Sequence, residues 1–323
     1  MKKMKFIVLA MLGVTLATVS CKKEQISPDI TTPSEPTDNP SATSEALISF
    51  FQDNLNSEKQ YFTIDASSSS TITGAKGSQL TFSPNSFETS NGTVVTGNID
   101  IQLIEIFTKA EMMMLNMPTM GQLSGNQIAP LISGGQFKIT ASQNGQKLNL
   151  VNGYGYSAVI PANNGVDPNM QLFYGTAGAS DTVMWATADS SMLFGQGNQY
   201  NAYFDSINWV NLDYFSNLPG TQTTVQVEVP QGFDNQNCVM YVSFDGLNSL
   251  GALYNSSNNV FTSAPNYTLP VGTDIHFVAV SIIGGNPHVA IISSQITNNH
   301  YEVIPALTQT TDTQFAVDLT NLP

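Results

Sequence analysis

The 323-residue chain carries 24 acidic side chains against ten basic ones, a formal charge of −14 at pH 7. All ten cations are lysines, and none follows Lys147. The second half therefore lacks the clustered cations that displace counterions from phosphates, which excludes nucleic acid as a partner and disfavours direct docking of the body on an anionic membrane face.

Taken in chain order, the first feature is a positive start, Met1-Lys2-Lys3-Met4-Lys5, followed by a largely apolar run from Phe6 to Val19. That run is shorter than the roughly 20 residues a helix needs to span a bilayer, and it reads as a secretory signal of residues 1–20. It ends Leu16-Ala-Thr-Val-Ser-Cys21, which resembles the lipobox of bacterial lipoproteins, where the chain is cut before the cysteine and the thiol is acylated. Thr18 departs from the leucine usual at its position. The resemblance implies Cys21 as the lipid attachment site, a membrane partner reached through the anchor, and a place in the cell envelope, on the outer membrane. Surface display stays open, since Lys22-Lys23-Glu24 only loosely resembles a surface-export tag. Residues 21–44 contain Pro28, Pro33, Pro36 and Pro40 among Ser, Thr and acids, too little apolar surface to order a chain, so they read as a tether. Fully extended, its 21 residues 24–44 would reach about 65 Å at roughly 3.1 Å per residue.

A short helix is predicted over 45–57, capped by Ser44, with Leu47, Ile48, Phe51 and Leu55 on one face; it belongs to a connector spanning 45–64. Beyond it the signals are nearly all β. The segment Ile99-Asp-Ile-Gln-Leu-Ile-Glu-Ile-Phe107 alternates, with a slip near Ile104. Strands are expected at 136–142, 147–151, 156–160, 171–174 and 182–186, and then at 223–229, 238–244, 250–254, 274–282, 288–294 and 314–319. Asn144-Gly145 predicts a type I′ hairpin turn. One methionine-rich helix, 109–115, is stopped by Pro118 and is expected to pack in a core. Short, regularly spaced strands predict an all-β protein of two β-sandwich domains in tandem, at 65–195 and 196–323.

The run Ile72-Thr-Gly-Ala-Lys-Gly-Ser-Gln-Leu-Thr-Phe-Ser-Pro-Asn-Ser-Phe87, with Asn91-Gly-Thr-Val-Val-Thr-Gly and Gly135-Gln-Phe-Lys-Ile-Thr-Ala141, resembles the β-sandwich module of ankyrins, netrin receptors and zonula occludens proteins. The resemblance is closer to the relatives of that module in secreted Bacteroidota lipoproteins, and it covers roughly residues 65–160. The segment Asn208-Trp-Val-Asn-Leu-Asp-Tyr-Phe215 resembles one that precedes a second sandwich in those lipoproteins. What this implies is a fold, a compartment and protein–protein contacts, with no reaction. Self-cleavage, known in some relatives at a His-Phe-Ser-type site, is not carried over, because that tripeptide does not occur.

No zinc-protease, Gly-x-Ser-x-Gly, phosphate-loop, dinucleotide or EF-hand pattern occurs, and without arginine there is no bidentate clamp for a charged substrate. The chain is expected to be no enzyme and to need no cofactor or metal. Cys238, alone in an apolar strand, reads as a small core hydrophobe. His276, His288 and His300 read as scattered, and Asp234-Asn-Gln-Asn and Asn163-Asn-Gly-Val-Asp167 as polar loops without a spaced calcium motif. The densest aromatic patch is Tyr200, Tyr203, Trp209, Tyr214 and Phe215, with Asp205 and Asp213 interleaved. It reads as a core plug between domains or, as the rival, a glycan-binding cleft using Tyr203, Trp209 and Asp213. The expected function is a membrane-anchored protein-binding or scaffold module; the alternative is a glycan-binding or carbohydrate-active one.

Overall fold

A computed structural model describes residues 41–177, 183–189 and 192–323. The signal segment, Cys21 and nearly all of the tether lie outside the described residues. The chain is mainly β, as expected, with three α-helices among the described residues. None of these helices is long and apolar enough to cross a membrane.

The strand Asn98–Ile106 shows how the sequence sets the architecture. Side chains alternate across a strand, and here both faces are apolar toward its C-terminal end. Ile99, Ile101 and Leu103 enter one core, while Ile104 and Ile106 enter another. The slip in the pattern at Ile104 is therefore the point where a one-faced strand becomes two-faced. This strand lies second in an eight-stranded sheet that runs, in order, Gln60–Asp65, Asn98–Ile106, Ile128–Gln143, Asn208–Phe215, Gln171–Ala177, Val183–Thr187 and Met120–Gln122; Gln146–Lys147 pairs with the long Ile128–Gln143 strand. Because Met120–Gln122 also pairs with the start of that long strand, the hydrogen-bonded path closes on itself. At the Gln146–Lys147 hairpin, Asn144 (φ 52°) and Gly145 (φ 77°) make the expected left-handed pair.

A five-stranded sheet, Phe194–Gln196, Gln199–Phe204, Tyr156–Pro161, Gln79–Phe82 and Ser70–Thr73, closes the other side of the first core. Its aromatic centre is Phe82, Tyr156 and Phe204, with Phe87 from the short strand Phe87–Glu88. A separate core lies between a four-stranded sheet (Asn255–Ser257, Val260–Thr262, Val225–Glu228, His300–Val303) and a five-stranded one (Leu250–Ala252, Cys238–Phe244, Asp274–Ile283, Asn286–Gln295, Thr308–Gln309). Gln199–Phe204 and Asn208–Phe215, expected beyond a boundary at 195/196, instead complete the two sheets of the first core. Their pairing with Tyr156–Pro161 and with Ile128–Gln143 places them there.

A third apolar cluster joins the two sheet pairs. It gathers Leu47 and Phe51 from α1 (Ser44–Ser57), Met112 and Met113 from α2 (Lys109–Met114), and Phe315 and Leu319 from α3 (Asp312–Thr320). The same seam is hydrogen-bonded. The Thr119 backbone N–H donates to the Leu250 carbonyl at 2.9 Å, and the Asn248 side-chain amide donates to the carbonyls of Phe107 and Ser133 at 2.8 Å each. The described residues accordingly belong to one compact unit.

Two local expectations are corrected. Residues 314–319 form helix α3 rather than a strand: Thr311 caps it, accepting from the Gln314 N–H, and Phe315 and Leu319, four apart, are buried while Val317 is exposed. Apolar residues at 315, 317 and 319 alternate as in a strand, but 315 and 319 by themselves are also one helical turn apart, and the cap decides between the two. Helix α1 is capped by Thr43, not Ser44, and it buries Leu47 and Phe51 but leaves Ile48 exposed.

Candidate functional site

The strand Asn208–Phe215 governs the aromatic patch. Val210 and Leu212 point into the first core, while Trp209 points the opposite way, into the cluster that joins the sheet pairs. Strand alternation puts Asn211 and Asp213 on the Trp209 face, and both are fully buried. Trp209 stands edge-on to Trp185, centroids 6.4 Å apart, with the Lys138 ammonium 5.2 Å from its ring. Tyr203 lies in the other sheet, half-buried, packed against Gly155. The expected cleft of Tyr203, Trp209 and Asp213 is therefore not formed: two of the three are inside, and the third is in a different sheet.

Asp213 sits where the register of its strand shifts against Ile128–Gln143. One carboxylate oxygen accepts from the Asn211 amide and the other has no partner. Burial pushes its carboxyl well above the usual range, although the hydrogen bond from Asn211 acts the other way. A carboxyl whose folded pKa exceeds its unfolded value of 3.8 binds its proton more tightly in the native state. It adds stability fully below that unfolded value, and this is lost as pH rises through the folded pKa. Asp213→Asn keeps the acceptor for Asn211 and removes the ionisation. It should therefore raise stability at pH 7 and flatten the pH dependence above pH 4. Urea melts from about pH 4 to 8 read this; a variant no more stable than the parent at pH 7 contradicts the assignment.

A groove of about 540 Å³ lies between the first sheet pair, the 246–248 turn and the end of α3. Its walls include Tyr214, Met170, Asn163, Asn164, Asn248 and Lys109. The loop 163–167 reaches it because the Tyr200 hydroxyl accepts from the Asp167 N–H at 2.6 Å and donates to the Gly165 carbonyl. The ionisable groups here are committed to structure. The Asp167 carboxylate accepts from the backbone and side chain of Asn169 at 2.8 and 2.9 Å. The Lys109 ammonium donates to the carbonyls of Phe244 and Pro323, and burial lowers its pKa despite nearby Asp245. What the groove offers a ligand is amides, a tyrosine and a methionine: shape and neutral hydrogen bonds rather than a proton-transfer pair. In the sequence this loop carries only an Asn-Gly turn signal; nothing local says that it faces residue 248.

Elsewhere, Cys238 is buried and its thiol is pushed up to about 12 by burial, which keeps it a thiol. The histidines have separate partners: His276 bonds Asp245 at 2.8 Å, His288 the Asn286 carbonyl, and His300 Thr297. Asp234 closes its own loop, accepting from the Gln236 N–H. Among the described residues no three His, Cys, Asp or Glu side chains converge as metal ligands. No protein-family model matches the chain, and no curated protein is significantly similar to it.

Proposed function

We propose that this chain is a lipid-anchored binding protein of a bacterial cell envelope, held on the outer membrane through acylated Cys21, and that its body captures a protein partner without catalysis. The observation that carries the binding reading is the groove at residues 163–167, 214 and 248, whose charged groups are already spent on the fold while the neutral side chains of Asn163 and Asn164 at its rim are exposed. A pocket at the meeting of two sheet pairs, with a few convergent polar groups, is the usual place for recognition. The anchor reading is supported by the apolar run ending at Cys21 and by a strongly acidic chain with no cation after Lys147. The resemblance to Bacteroidota lipoproteins supports both.

A single experiment addresses anchor and groove together. The full chain, Cys21→Ser and Asn164→Trp would each be expressed with an affinity tag, fractionated, and used for pull-down from envelope extracts. Cys21→Ser should be released as a folded, soluble protein, whereas the parent stays with membranes through a high-salt wash. Asn164→Trp, at an exposed rim position, should stay anchored and lose the partner. If Cys21→Ser remains membrane-bound, the anchor reading is wrong; if the parent repeatedly recovers nothing, the binding reading fails. The glycan alternative keeps one specific support, Tyr214 beside Asp167 and paired asparagine amides in the same groove. Binding on a glycan array that disappears in Tyr214→Ala would favour it.

A further inference from the structure

A second groove, of about 440 Å³, runs beneath α1. Its apolar walls include Leu47, Phe51, Leu115, Met117, Val183 and Trp209, and polar side chains such as Asn116, Asn235 and Gln236 also border it. Each of those six apolar residues is between 3% and 8% exposed, so these side chains form the buried floor of the groove and belong to the cluster that joins the sheet pairs. The volume lies within the roughly 300–1,000 Å³ usual for small-molecule sites. The lining follows α1 from Ser44 to Leu55, about 16 Å at roughly 1.5 Å per residue, so the slot is elongated. Leucine and methionine walls can repack around a flexible chain.

Charge distinguishes this slot from ordinary packing. Lys138 lines it, its ammonium lying against the Trp209 ring. Five lysines fall within the described residues. Lys76 pairs with Glu58 and Glu111, and Lys109 is bound to two carbonyls. Burial first, and then the positive charges of Lys59 and Lys147, hold the Lys138 ammonium below its usual range. Among the described residues Lys138 has no carboxylate at ion-pair distance. Lys138 thus brings a positive charge with no carboxylate at ion-pair distance, among the described residues, to the edge of one apolar slot. An anion there would relieve the repulsion, and an unbranched hydrocarbon would fill the space under α1.

We propose that the slot beneath α1 binds a single-chain anionic amphiphile, a long-chain fatty carboxylate, with its hydrocarbon between α1 and Trp209 and its headgroup at Lys138. This site is separate from the groove at residue 164, and either reading can fail without the other.

The test uses the full chain carrying Cys21→Ser, so that no acyl group of its own competes, titrated with palmitate, hexadecanol and butyrate by calorimetry and tryptophan fluorescence. Palmitate should bind saturably, one per chain. Hexadecanol should bind about 10-fold or more weakly, for want of one charge-assisted contact. Butyrate should not compete. Lys138→Gln should weaken palmitate by a similar factor and leave hexadecanol unchanged. No saturable palmitate binding, hexadecanol as tight as palmitate, or butyrate displacing palmitate at equal concentration would each overturn the proposal. Should Lys138→Gln fail to fold, the acid–alcohol contrast on the unaltered lysine decides alone.

Discussion

Glu105→Ala is expected to lose about 3 kcal/mol of stability or more, among the largest effects of any polar substitution in this chain. The Glu105 carboxylate is fully buried and accepts three hydrogen bonds, from the Gln60 side-chain amide (3.0 Å), the Lys76 N–H (3.0 Å) and the Ser78 N–H (3.2 Å). Truncation strands those donors at roughly 1–3 kcal/mol each, softened where water can enter. The carboxylate reaches them because Gly74 has no side chain; a Cβ there would lie 2.3 Å from its oxygen. The same loop presents Lys76, whose ammonium donates to the Glu105 carbonyl at 2.7 Å and pairs with Glu111, the residue that closes the capping box at the start of α2. One buried acid therefore fixes both the loop 74–78 and the entrance to the seam helix. Glu105→Gln should fall between parent and alanine, because its NH₂ must oppose a backbone donor. Chemical denaturation measures the series, and a loss under 1 kcal/mol for alanine would show that the network is not what holds the loop.

Trp185→Ala should cost a comparable amount, about 3–5 kcal/mol for a fully buried tryptophan. Trp185 has no exposed surface, stands edge-on to Trp209, and donates its indole N–H to the Pro118 carbonyl at 3.1 Å. It lies in the cluster shared by α1 and both sheet pairs. The loss should therefore appear as an earlier transition of the whole body, with no separate early melting of residues 216–323. Tyr61→Ala, at a side chain 68% exposed, is the control and should fall within about 0.5 kcal/mol of the parent. Two well-separated transitions in the parent, with Trp185→Ala moving only one, would show that the seam does not couple the two sheet pairs.

The Gly74-Ala-Lys-Gly-Ser78 stretch illustrates what was legible. As a sequence it marked tight turns and a family likeness, and the turn at Gly77 (φ 98°) is real. That its purpose is to approach a carboxylate 31 residues further on could not be read, because neither partner's neighbours contain the other. The aromatic patch failed for a related reason. Tyr203, Trp209 and Asp213 are close in the chain, but a strand sends successive side chains to opposite faces, and the break at 205–207 carries the chain from one sheet to another. Proximity in sequence was mistaken for proximity in space.

Local patterning by itself determined the β character, the Asn144-Gly145 hairpin, the buried methionine helix and the place of Cys238, because period-two alternation, left-handed turn residues and apolar runs act within a few residues. Tertiary structure alone decided that Gln199–Phe204 and Asn208–Phe215 complete the first pair of sheets and that Ile104 faces a second core. It also decided where charge remains free: which of the five described lysines is spent on a carboxylate or a carbonyl, and which is left beside an apolar slot, depends on contacts between segments up to 214 residues apart.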